Sequence, residues 1–246
     1  MIIPDDFTKC YKNYYRSWFI CVISEYANLK AVKTGDYTQE IHLPDYWDGS
    51  GHVVYKNSLY YHSSGYQKAV RYDLASGTIA AEADIPEARY EYNLKYLYKS
   101  ETTYFDFAVD NDQLWVIYST ENGMLVAARL NATDLSVKQT VHTNRRKRSS
   151  GDAFIVCGIL YATKSPQDVY STVDYAFDLF TQEQLAPIDI PITNRYGMSS
   201  MLTYYPNERL LYAWDKGYLM TYNVTLISED GAGWKNEWML REFIFL

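Results

Sequence analysis

Apolar positions in this chain recur mostly at a spacing of two, in runs four to seven residues long, and Gly, Asn, Asp or Pro interrupts nearly every gap. Such spacing belongs to pleated strands, whose side chains alternate between two faces. It argues against helices, which need apolar residues every third or fourth position. A longer period is also present. Val53-Val54-Tyr55, Phe107-Ala108-Val109, Phe154-Ile155-Val156 and Leu202-Thr203-Tyr204 begin at 53, 107, 154 and 202, which are 54, 47 and 48 positions apart. A turn and a second strand follow each (KNSLYYH, NDQLWVIYST, GILYATKS and NERLLYAWD), then a third (AVRYDLAS, LVAARLNATDL, VDYAFDLFT and LMTYNVTL).

Three strands joined by tight turns, repeated about every 50 residues, predict the blades of a β-propeller. Four blades are visible in this way. The segment RSWFICVISEYANL (16–29) reads as strand, turn and strand, and supplies material for a fifth. The segments IHLPDYWDGSG, AEADIPEARYEY and IDIPITNRYGMSS each carry a Pro between successive units and read as inter-blade crossovers. The expectation is therefore one all-β domain over residues 1–246, a propeller of four visible blades with N-terminal strand material for an incomplete fifth. A closed ring leaves no unpaired sheet edge, and its loops lie on two faces available for binding.

Composition sharpens this picture in three ways. The 246 residues are 48% hydrophobic, enough for a packed core, and 26 tyrosines against 9 phenylalanines suit strand faces and rims that stay partly wet. The net charge of −7 repels phosphate backbones, so nucleic acid is not an expected partner. The basic cluster Arg145-Arg146-Lys147-Arg148 stands against that balance; it reads as a solvated loop, with a protease cleavage site as the sharper alternative. No run of 18 apolar residues exists, so membrane insertion is not expected, and MIIPDDFTKCYKNYY is not a signal peptide.

Three cysteines permit at most one internal disulfide, and none sits in a CxxC spacing that would suggest zinc. The histidines His42, His52, His62 and His142 share no spacing that suggests a triad or metal cage. Asn131-Ala132-Thr133 and Asn223-Val224-Thr225 are glycosylation sequons; Asn131 falls at a turn and Asn223 within a strand.

The stretches GSGHVVYKNSLYYH, VRYDL, FDFAVDNDQLWVIYSTE, RLNATDL, DAFIVCGILYATKS, VDYAFD and YYPNERLLYAWDKGYLMTYNV resemble the olfactomedin domain in order and spacing, over roughly residues 43–226. The resemblance implies a five-bladed propeller in a secreted protein of the extracellular matrix, acting without catalysis by binding extracellular or cell-surface proteins. It also implies oligomerisation through upstream regions not contained in this sequence. Two departures stand out: the first dozen residues look unrelated, and GAGWKNEWMLREFIFL runs past the usual end of the domain, as in a truncated or alternatively started product.

The resemblance further implies a calcium ion in the propeller channel. By motif its ligands correspond to Asp106, Asp152, the carbonyls of Ala153 and Leu202, and Thr203. Calcium takes six to eight hard oxygens. Here an acid stands at 152 where the family has Asn, and Thr203 where it has Asp, so the charge count is kept while its placement moves. Another acid often near this site is Tyr104 here. Without an ion, Asp106 and Asp152 would rely on backbone amides and water. The resemblance also pairs Cys157 with an N-terminal cysteine, for which Cys10 is the better candidate and Cys21, in WFICVI, the buried alternative.

Two further functions stay open: a glycoside hydrolase using channel carboxylates such as Asp106 and Asp152, and a purely structural matrix component.

Overall fold

The computed structural model describes residues 2–3, 10–12, 19–90, 96–100, 103–228 and 238–245. It is all-β, with a propeller arrangement of four blades. The chain opens with a sheet of β1 (Ile2–Ile3), β2 (Cys10–Lys12), β3 (Phe19–Glu25) and β4 (Gln39–Leu43), in which β3 pairs with the other three. A short helix, α1 (Leu29–Thr34), separates β3 from β4. It starts where the Asn28 side chain accepts a hydrogen bond from Ala31 N–H at 3.0 Å and stops at Gly35, at a φ of 72°. The strand–turn–strand reading of 16–29 is thus corrected: one strand and the start of a helix occupy its described part, and Asn28 is the capping signal.

The first blade is β5 (Val53–Tyr55), β6 (Ser58–His62), β7 (Lys68–Asp73) and β8 (Thr78–Asp84). The second is β9 (Asp106–Asp110), β10 (Gln113–Ser119), β11 (Met124–Leu130) and β12 (Val137–Arg146). In the third, β13 (Ala153–Val156) and β14 (Ile159–Thr163) lead to β15 (Tyr170–Asp178), which pairs with both β16 (Glu183–Gln184) and β17 (Ile190–Thr193). The fourth is β18 (Ser199–Tyr205), β19 (Leu210–Asp215), β20 (Tyr218–Ser228) and β21 (Trp238–Phe245). All pairings are antiparallel. Each apolar triplet picked from sequence lies in the innermost strand of its blade, and the second and third strands follow as expected.

The crossovers need correction. IHLPDYWDGSG begins inside β4, AEADIPEARYEY inside β8, and IDIPITNRYGMSS contains β17 with Pro191 in it. These are outer strands, and they hide in sequence for a physical reason. Only one face of an outer strand is covered, as in the alternating exposed and half-buried positions of β8, and an edge tolerates Pro because no neighbour needs its missing N–H.

Two-residue turns close the inner hairpins. Lys56-Asn57, Asn111-Asp112 and Cys157-Gly158 all have positive φ at both positions, the geometry that matches the twist of the flanking strands. The core is divided among sheet-to-sheet layers. One cluster joins the first blade to the second (Tyr60, Ala69, Phe107, Val116), another the second to the third (Trp115, Ile117, Ile155, Leu160), and a third the third to the fourth (Phe154, Tyr161, Leu202, Tyr222). Ile23 and Leu43 of the N-terminal sheet pack with Leu59, Tyr61 and Val70 of the first blade. No described helix is long and apolar enough to cross a membrane.

Candidate functional site

The innermost strands meet one another: β9 contacts β5, β13 and β18, and β13 contacts β18. Asp106 opens β9, Asp152 immediately precedes β13, Ala153 opens β13, and Leu202 and Thr203 lie in β18, opposite Ala213 and Tyr212. The five residues picked from sequence therefore sit on strands that converge at the axis, and Asp106, Asp152 and Thr203 are all buried. Close approach of β9 depends on Gly51. A Cβ there would lie 2.5 Å from both Asp106 Cα and Phe105 O, and 2.9 Å from Asp106 Oδ1.

Each carboxylate has a specific partner. The Tyr98 hydroxyl donates to Asp106 Oδ2 at 2.7 Å. Asp152 Oδ1 accepts from Ala153 N–H at 2.8 Å, and Leu202 N–H also donates to this carboxylate. Around them lies a ring of small hydroxyls. Ser50 Oγ is 3.1 Å from Thr103 Oγ1 and donates to Ser200 O, while Thr163 Oγ1 accepts from Asp152 N–H at 3.0 Å. Tyr98, Gly51 and Ser50 were not singled out from sequence. Tyr98 is one tyrosine among 26, and its role depends on a contact that no local pattern encodes.

Burial pushes Asp106 up to about 7, with the Tyr98 hydrogen bond acting the other way. Asp152 is held well above the usual carboxylate range, first by burial and second by the charge of Asp106, against the two backbone N–H bonds. Folded-state pKa values raised above the unfolded value mean that protonation favours the folded state. For Asp106 this contribution is fully present below about pH 4 and is lost as pH rises through about 7. His52, pushed by burial down to about 4, acts in the opposite sense as pH falls below about 6.5. In chelator, the stability gap between wild type and Asp106→Asn is therefore expected to shift in favour of wild type between pH 8 and pH 5, with His52 common to both. Urea melts at the two pH values measure it; a gap independent of pH would contradict the raised carboxylate.

The donor chemistry suits a hard cation. Every candidate ligand is an oxygen, and a divalent ion would remove the repulsion between two desolvated carboxylates. Among the described residues, no three His, Cys, Asp or Glu side chains gather as a metal cluster, so backbone carbonyls and Thr203 would have to complete the shell. Tyr104 belongs elsewhere, in a buried cluster with Tyr96 and His62 at ring separations of 5.2 and 5.9 Å.

The other residues singled out from sequence lie away from the axis. Cys157 carries a free thiol in the Cys157-Gly158 turn. The side chains of Cys10 and Cys21 lie outside the described residues, although β2 and β3 set the two opposite each other in register. Asn131 is half-buried in the turn after β11, its side chain accepting from Thr133 N–H at 2.9 Å, whereas Asn223 lies within β20 opposite Leu210. The histidines are dispersed: His62 stacks on Phe105 at 4.3 Å, and His142 lies 3.6 Å from Glu87. The basic cluster is a solvated loop only in part, with Lys147 and Arg148 in the turn after β12 and Arg146 and Arg148 exposed. Arg145 and Arg146 end β12, and the Arg145 guanidinium lies 2.8 Å from Asp174 and 5.2 Å from the centre of the Tyr175 ring.

The model of the olfactomedin-like domain matches residues 8–229. Rat myocilin is 39% identical over 207 residues, 83% of this chain and 41% of the relative. Bovine myocilin is 40% identical over the same length, and human myocilin 40% identical over 193 residues, 77% of this chain and 38% of the relative. The chain thus spans about two fifths of the length of the curated relatives it matches.

Proposed function

The chain belongs to the olfactomedin-like domain family, and on that premise we propose that it is a secreted, non-catalytic module that binds extracellular or cell-surface proteins. The observation that carries this reading is the family match over residues 8–229, joined to an axis whose two carboxylates are closed off from solvent. The N-terminal sheet serves as a fifth blade in this reading: it packs on the first blade, and a groove of ≈ 750 Å³ is lined both by its Glu25 and by Tyr205 and Tyr212 of the fourth. Calcium held by Asp106, Asp152, Thr203 and the carbonyls of Ala153 and Leu202 would tie three blades together, its charge neutralising the carboxylates. Asn131 is the glycan site, with Asn223 disfavoured by its strand.

Burial weighs against a glycoside hydrolase. Asp106 and Asp152 are only 5% and 4% exposed. A hydrolase needs its two carboxylates on either side of a sugar. The test pairs two assays on purified protein. Saturable capture of cell-surface proteins with no turnover of an aryl-glycoside panel is expected. Turnover that disappears in Asp106→Asn and Asp152→Asn, without capture, would overturn the reading.

A further inference from the structure

The protein is acidic overall, yet one part of its rim is not. Backbone hydrogen bonds bind two segments side by side: Arg148 N–H donates to Leu97 O and Lys99 N–H to Ser150 O, both at 2.8 Å. Lys147 N–H donates to Gly123 O at 2.8 Å, which fixes the end of β12 to its own blade. The Lys99 ammonium reaches Lys164 O at 2.6 Å and so brings in a segment of the third blade. Lys99, Arg146, Arg148 and Lys164 are all exposed, and none makes an ion pair with a described residue. The adjacent acid, Asp174, is already engaged by Arg145. Held backbones whose cationic heads pair with no described acid are pre-organised for an anionic ligand, because the segments need little further ordering on binding.

From this geometry we propose that Lys99, Arg146, Arg148 and Lys164 form a docking rim for a linear sulfated polysaccharide. Charges on an outer strand also discourage edge-to-edge pairing. That role accounts for Arg146 but not for Lys99 or Lys164, which lie off β12. Among polyanions, sulfated glycans are the ones that a secreted protein meets. The choice of a sulfated glycan rests on the extracellular reading; the binding itself does not, because it is measured on purified protein.

The experiment compares binding of a heparin oligosaccharide, its desulfated form and a single-stranded RNA of matched charge. The proteins are wild type, the variant Lys99→Ala/Arg146→Ala/Arg148→Ala/Lys164→Ala, and a control of equal charge change, Lys30→Ala/Lys33→Ala/Lys68→Ala/Lys216→Ala. Wild type is expected to bind the sulfated chain in a salt-dependent manner. The rim variant should bind it on the order of tenfold more weakly with an unchanged melting curve, and the control should bind like wild type. Equal loss in the control would reduce the effect to net charge and overturn the site. Equal or tighter RNA binding would overturn the ligand class, and no binding of the sulfated chain would overturn both. Failure of secretion in cells would leave all of these results standing and bear only on the extracellular reading.

Discussion

Gly51→Ala is expected to lower the melting temperature by about 6–12 °C, corresponding to about 3 kcal/mol for a domain of this size. The methyl group would meet backbone atoms, Asp106 Cα and Phe105 O at 2.5 Å, and backbone cannot swing aside as a flexible side chain can. Phe107 N–H donates to Gly51 O at 2.8 Å, so any retreat of β9 would also stretch that bond and disturb Asp106 at the axis. Relief should therefore come at the expense of the site, and the variant should lose any cation-dependent stabilisation along with its melting temperature. An alanine variant that melts like wild type would show that β9 does not approach Gly51 so closely.

Asp110→Ala should cost about 2–6 kcal/mol, because it strands two N–H groups, one buried and one half-buried, at about 1–3 kcal/mol each. Asp110 ends β9, and its carboxylate accepts from Cys157 N–H at 2.8 Å and Gly158 N–H at 2.7 Å in the turn of the next blade. Burial raises its pKa while these two N–H bonds pull it down. Asp110→Asn keeps an acceptor oxygen and should lose less. Thermal melts rank the two variants, and hydrogen exchange at 157 and 158 reports whether the turn has come loose. Equal stability of wild type and Asp110→Ala would mean that the second and third blades are not joined there.

The inner and middle strands were legible in the sequence because they are buried on both faces, which leaves continuous apolar runs such as LWVIY around Trp115 and ILYA around Tyr161. Outer strands were not. β8 and β17 carry the polar alternation or proline of a connecting segment, and only their pairing reveals them. At the axis, the resemblance singled out Asp106, Asp152 and Thr203, which respectively open, precede and lie within inner strands. What lay beyond it was the surrounding shell. Tyr98 reaches Asp106 from a segment outside the strands, and Gly51 matters for the space it leaves empty, a property no side-chain pattern can express. The basic cluster misled for a related reason: a run of four cations looks solvated, but strand alternation and the Tyr175 ring hold one of them down.

The most direct measurement is a thermal melt of chelator-stripped protein with and without calcium, made on wild type, Asp106→Asn and Asp152→Asn. If carboxylates from two blades meet at one axis, calcium raises the wild-type melting temperature in proportion to its occupancy, and either substitution abolishes the rise. A wild-type melt indifferent to calcium would contradict a cation site there, and a rise that survives in both variants would place the ion elsewhere.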